Sequence, residues 1–399
     1  MEYPLASRNQ FIQPSPTLQI AARAAALKAS GRDVISLSLG EPDFDTPDFI
    51  KTAAIAAINA GFTKYTAVDG IPGLKQAIIQ KFARENKLSY QPSQIMVSCG
   101  AKQAIFNLAQ ALLQAGDEVI IPAPYWVSYP DIVAMTGAKP VFIFAGIAQQ
   151  YLITPEQLEA AITPRTRLLL INSPSNPTGM VYKYETLKAL GEVLKRHPHV
   201  LIATDDIYEH IRWDGQAFVN ILNVCPELVD RTLVINGVSK SYAMTGWRIG
   251  YAAGPADIIQ AMANIQSQST SSPCSISQKA AEAALNGGTD CMQPMLDAFK
   301  ARHDRIIQGL NQLPGVHALP ADGAFYAFPS MHELIKRMAK INVHDDVELA
   351  EYLLNEANIA LVPGSAFGAP GYVRLSFATS ITLIDKALER LHEVLKVYV

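Results

Sequence analysis

From about residue 94 the chain alternates short runs of β-branched and aliphatic residues with longer stretches of helical period. This alternation confines it to an α/β fold built on a mainly parallel sheet. Residues 94–98, 118–121, 167–171, 200–204, 232–235 and 248–252 read as strands, with 101–114 and 184–196 among the helices between them. Runs this continuously apolar suit strands covered on both faces. Beyond about residue 290 the pattern changes to one long amphipathic helix over 292–313, short strands around 325–328 and 372–377, and a terminal helix from Leu383. The first forty or so residues hold a helix over 18–30 and a short strand over 34–38. The expected organisation is a large domain over 48–290, its sheet flanked by helices, and a smaller α+β domain made of 1–47 and 291–399.

A chain of 399 residues with a net charge of -3 carries no basic surface for neutralising a phosphate backbone or anionic lipid, so neither nucleic acid nor membrane is an expected partner. Residues 1–13 lack the apolar core of a signal peptide, and no later run reaches transmembrane length; a cytoplasmic protein is expected. Cys99, Cys225, Cys274 and Cys291 are far apart and form no CxxC pair, which reads as buried free thiols rather than a metal cluster or disulfide framework. His197 and His199 flank Pro198 without a third ligand nearby, and no metal site is expected.

The most specific stretch runs from Gly237 through Lys240 and Arg248 to Gly250, directly after an apolar strand run. Desolvation at the end of a buried strand lowers a lysine's pKa and frees its amine as a nucleophile able to form an imine. Arg248 follows where a guanidinium could pair with a phosphate in the same site. Taken alone, the two are read equally well as a surface lysine and a structural arginine. Other blocks also stand at strand ends, where α/β sheets bind their ligands: Asn172 to Gly179 with Asn176 inside it, and Asp205-Asp206-Ile207-Tyr208. Gly100-Ala101-Lys102 joins a strand to a helix start, which favours an anion. Arg374 lies within a strand pattern, where a guanidinium either faces outward or is paired with an anion.

In this order the blocks resemble, over nearly the whole chain, the class I aminotransferases of the aspartate aminotransferase type. These belong to the larger fold type I of pyridoxal-phosphate enzymes. The resemblance implies pyridoxal 5'-phosphate as cofactor, carried by Lys240 as an imine, with Lys240 also the general base. It implies that Asp205 pairs with the pyridine nitrogen, that Asn176 and Tyr208 hydrogen-bond the ring oxygen, and that Trp126 stacks on the ring. Gly100, Ala101, Lys102 and Arg248 would hold the phosphate, and Arg374 would bind the substrate carboxylate beside Gly40, with Trp126 and Asn176 also facing substrate. Tyr65 matches a tyrosine that reaches the neighbouring subunit's phosphate, which implies a homodimer with shared sites. At position 237 some relatives carry a phosphate-binding serine; this chain has Gly237, and Ser239 need not replace it.

The implied reaction moves an amino group from an amino acid to a 2-oxo acid by a ping-pong route. Pro14-Ser15-Pro16-Thr17 together with Lys102 resembles bacterial aspartate aminotransferases, some of which accept prephenate. L-aspartate and 2-oxoglutarate are therefore the expected pair, with aromatic, alanine or prephenate specificity next. A β-lyase or a cyclopropane-forming synthase would share Lys240, Asp205, Tyr208 and Arg248. A regulator using the fold without turnover would need a DNA-binding extension, and no basic helical segment precedes the fold.

Overall fold

The computed structural model describes residues 3–10, 12 and 14–398; Met1, Glu2, Phe11, Gln13 and Val399, part of the expected smaller domain, lie outside them. Its strands are β1 (Ile35–Ser36), β2 (Ile95–Ser98), β3 (Glu118–Ala123), β4 (Lys139–Phe144), β5 (Thr166–Asn172), β6 (Leu201–Asp205), β7 (Thr232–Gly237), β8 (Gly250–Ala253), β9 (Tyr326–Ala327), β10 (Ile359–Ala360), β11 (Val362–Pro363) and β12 (Val373–Ser376). Seven of them form one sheet in the order β2-β8-β7-β6-β5-β3-β4. The pairs from β4 to β7 are parallel, and β8 runs against both β2 and β7.

Successive side chains of a strand point to opposite faces, and both faces here are covered. Met96, Val119, Leu168, Ala203 and Leu233 enter one hydrophobic cluster, while Ile95, Val97, Ile120, Leu169, Ile202 and Val234 enter the other. A third cluster draws on both ends of the chain: Ile35 and Leu37 pack with Phe299, Leu310, Phe325, Leu349, Leu375 and Leu388. Around it β1 pairs with β10, and β11, β12 and β9 form a small antiparallel sheet.

The register brings distant positions to one edge of the large sheet. Asn172 lies opposite Asp205, Asp205 opposite Ile235, and Gly250 opposite both Gly237 and Ser98. The carboxyl ends of β2, β5, β6 and β7 and the amino end of β8 therefore meet, and the segments leaving them carry Gly100, Asn176, Tyr208, Lys240 and Arg248. This is the edge at which open α/β sheets bind ligands.

Several sequence expectations need correction. Residues 139–144 were not among the expected strands, yet they form β4; it is an edge strand with Lys139, Phe142 and Phe144 exposed, so it lacks the buried run that marks the others. The strand expected over 248–252 starts at Gly250, because Arg248 takes a left-handed backbone (φ 56) that turns the chain before pairing begins. The thiols are unpaired, but Cys225 alone is buried and Cys274 is exposed. No helix among the described residues is long and apolar enough to cross a membrane.

Candidate active site

One cavity of about 270 Å³ opens at the ligand-binding edge of the sheet, and Gly40, Ala101, Lys102, Trp126, Asn176, Asp205, Tyr208, Lys240, Arg248 and Arg374 all line it. Gly100 stands just behind, at φ 86, with the Arg248 guanidinium so close that a Cβ would fall 2.1 Å from Nη2. Only glycine fits there. Tyr65 is the exception among the expected residues: its side chain is 94% exposed and does not line the cavity.

Lys240 follows β7 by three residues and is half-buried, its Nζ donating to the Gly40 carbonyl at 2.5 Å. Burial, aided by the Arg248 and Arg374 charges against those of Glu41 and Asp205, brings its ammonium down to about 8. A useful fraction of free amine is then present near neutral pH, whereas an ordinary lysine offers almost none. Asp205 ends β6 inside the protein, where burial pushes its carboxyl up to about 6 even though the Tyr129 hydroxyl donates to Oδ2 at 2.6 Å. A carboxylate held this far from water has most to gain from a cation placed against it.

A buried polar network fixes the two strand ends. Glu209 accepts from Lys81, from Asn86 Nδ2 at 2.6 Å and from Asn236 Nδ2 at 2.7 Å. His210 meets Glu85 at 2.9 Å and Ser241, the neighbour of Lys240, at 3.0 Å. The segment after Asp205 is thereby tied to the segment around Lys240. Glu85, Glu209 and His210 converge as metal ligands can, but the Lys81 ammonium sits against both carboxylates and supplies the balancing charge.

Arg374, on β12, is buried and donates through Nη2 to the Ser38 carbonyl at 2.6 Å and through Nη1 to Asn176 Oδ1 at 3.0 Å; its Nε has no partner among the described residues. An incompletely satisfied buried guanidinium facing a cavity is suited to a carboxylate. Lys102 lies with Nζ 4.9 Å from the Trp126 ring, its ammonium lowered by burial and by Arg248. Ser15, Thr17 and Leu18 line the same side.

The donor set fits pyridoxal phosphate. The helix Ala101–Leu112 starts at the cavity with Arg248 beside its first turn, and the Ser239 and Thr245 side chains line the wall, giving an anion-binding end. Asp205 offers a counter-charge for a ring nitrogen and Lys240 an amine for an aldehyde. At Gly237 a Cβ would lie 3.0 Å from the Ile249 carbonyl oxygen, so a side chain there is crowded; Ser239 and Thr245 are among the hydroxyl residues that line the cavity.

Sequence reading did not single out Tyr129, Tyr326, Thr245 or Ile207. Tyr129 stands one helical turn after Trp126 and meets it edge-on at 5.2 Å, a spacing that could have flagged it. Tyr326, inside an aromatic strand run, carries no such signal.

Comparison with known proteins gives a consistent picture. Residues 32–391 match the family described as aminotransferase class I and II. The aspartate/prephenate aminotransferase of Nitrosomonas europaea is 58% identical over 98% of this chain and 99% of its own. The aspartate aminotransferase of Geobacillus stearothermophilus is 52% identical over 98% and 99%. Among solved structures, aspartate aminotransferase from Rhizobium meliloti superposes with a TM-score of 0.95 at 49% identity, covering 99% of both chains. The Thermus thermophilus enzyme with maleate superposes at 0.92 and 43%, covering 99% of this chain and 100% of its own.

Proposed function

The chain belongs to the class I and II aminotransferases, and on that premise we propose that it transfers the amino group of L-aspartate to 2-oxoglutarate, with the cavity residues in the roles their chemistry suits. The observation that carries this reading is the convergence of Lys240, Asp205 and Arg374 on one cavity that also holds a second cation, Lys102. With Lys240 given to the cofactor and Arg248 to its phosphate, Arg374 and Lys102 are the two cations that match a substrate with two carboxylates. The Thermus thermophilus relative was solved with maleate, a four-carbon dicarboxylate, which supports the same reading.

Bound pyridoxal phosphate supplies an electron sink next to the substrate's α-carbon. The Arg374 fork holds the α-carboxylate beside Gly40, whose Cβ, if it had one, would fall 2.6 Å from the Tyr326 hydroxyl. Lys240 Nζ, once free of the cofactor, would accept the α-proton and return it two atoms along, on the far side of the substrate's nitrogen. Asp205 would keep a proton on the ring nitrogen, Tyr208 and Asn176 would donate to the ring oxygen, and Trp126 would cover one face. Gly100, Ala101 and Arg248 would hold the phosphate, with Lys102 serving both it and the substrate's second carboxylate.

Adding L-aspartate alone to the loaded protein should convert the bound cofactor's visible absorbance to the shorter-wavelength amine form, and 2-oxoglutarate should restore it. A spectrum indifferent to aspartate would move the donor to another amino acid. Prephenate belongs in the same assay, because the Nitrosomonas europaea relative carries it in its name. Replacing Lys102 with Met is expected to lower the preference for aspartate over alanine, measured as a ratio of kcat/KM, by roughly 10–100-fold, the worth of one charge-assisted hydrogen bond. An equal fall for both donors would instead assign Lys102 to the phosphate alone.

The same reading divides the chain into domains at 48–290 and at 1–47 with 291–399, supported by the third hydrophobic cluster, which joins the chain's two ends. It also makes the protein a homodimer with shared sites. Tyr65 is exposed and does not line its own cavity, and Ile55 and Ile58 are exposed nearby in sequence, as a face awaiting a second copy would be. A monomer of full activity in sedimentation would overturn this. Four unpaired thiols suit a cytoplasmic enzyme, and recovery from a membrane fraction would contradict that.

A further inference from the structure

Tyr326 opens β9, is buried, and pairs in register with Ser376 of β12, the strand that carries Arg374. Its hydroxyl lies 2.7 Å from the Tyr208 hydroxyl, and its ring underlies the Arg374 guanidinium at 4.6 Å. The same hydroxyl fills the space a Cβ at Gly40 would need, and the Gly40 carbonyl is the acceptor of Lys240. One side chain therefore touches the carboxylate fork, the peptide on which Lys240 rests, and Tyr208.

A phenol has a single proton to give. If Tyr208 gives its proton to the cofactor's ring oxygen, the contact between the two hydroxyls requires Tyr326 to be the donor. A hydroxyl that accepts one hydrogen bond becomes a better donor of the next. We propose that Tyr326 is a positioning residue that fixes the direction of the Tyr208 proton and strengthens its donation, so that Arg374 and Tyr208 answer to one shared side chain. This rests on the reading that Tyr208 donates to the ring oxygen.

The test is a pH titration of the bound cofactor's visible band in the parent, Tyr208→Phe, Tyr326→Phe and the double variant. A donor on the ring oxygen loosens the proton shared with the neighbouring nitrogen, so losing that donor raises the titration midpoint. Tyr326→Phe keeps the ring, its tilted contact with Phe325 and its contact with Arg374, and should fold as the parent does. It should raise the midpoint by roughly 0.3–0.7 unit, less than Tyr208→Phe does, and the double variant should shift no further than Tyr208→Phe alone. In turnover, kcat should fall roughly 3–10-fold while KM for aspartate stays within about twofold, because the cation–ring contact survives. An unchanged midpoint in Tyr326→Phe, or a shift that adds in full to that of Tyr208→Phe, overturns the proposal. A silent Tyr208→Phe takes down both the proposal and the reading beneath it.

Discussion

Replacing Lys240 with Ala is expected to slow the aspartate half-reaction by at least about 10⁴-fold, the upper range for a positioned acid–base group. The substitution removes both the amine that anchors the cofactor and the base at the α-carbon. Glu41 and Asp205 are near enough to act on the Lys240 charge, but Asp205 is committed to Tyr129 and Glu41 to Thr245. The cavity should survive, since the Lys240 side chain has one hydrogen bond, to the Gly40 carbonyl. The variant should therefore still bind pyridoxal phosphate through Arg248, Asp205 and Trp126, without the band of the lysine-linked form. Rapid mixing of the loaded variant with aspartate measures the step directly. A half-reaction within tenfold of the parent would assign the proton transfer elsewhere.

What the sequence made legible follows from where each signal resides. Strands buried on both faces announce themselves as apolar runs, so β2, β5, β6 and β7 were expected close to their observed bounds. The residues leaving their carboxyl ends could then be placed on one edge before any coordinates, because parallel strands put those ends together. β4 escaped because an edge strand is half exposed and its pattern is diluted. Lys81 and Glu209 defeat periodicity altogether: charged residues at buried positions read as surface until the partner is known, and here the partner is 128 positions away. Tyr326 lies 118 positions from the hydroxyl it meets, and nothing local distinguishes it from a core aromatic. Motifs record the groups that touch a ligand; the groups that aim them are fixed by tertiary contact alone.

Asp205→Asn is expected to separate stability from function in opposite directions. In the cofactor-free protein the Asp205 carboxyl is raised to about 6 by burial, against 3.8 when unperturbed. A raised carboxyl favours the folded state while protonated and loses that advantage as pH rises, so the parent should lose stability between about pH 4 and 6 and stay at the lower level above. The loss is on the order of 2–3 kcal/mol from a shift of this size. Asn has no charge to bury and can still accept from Tyr129, so the cofactor-free variant should match the parent below pH 4 and exceed it by roughly 1–3 kcal/mol at pH 7–8. Loading reverses the order. Only the parent gains an ion pair with the protonated ring nitrogen, and removing one partner of such a buried pair costs about 3–5 kcal/mol, equivalent to a fall of roughly 10²–10⁴ in kcat if the charge is needed throughout the reaction. Thermal unfolding of the cofactor-free and loaded forms across pH, alongside kcat, reads both effects. A cofactor-free variant no more stable than the parent at pH 8 would mean that Asp205 is less strained than its burial implies. A loaded variant with near-parental kcat would mean that the ring nitrogen needs no anion.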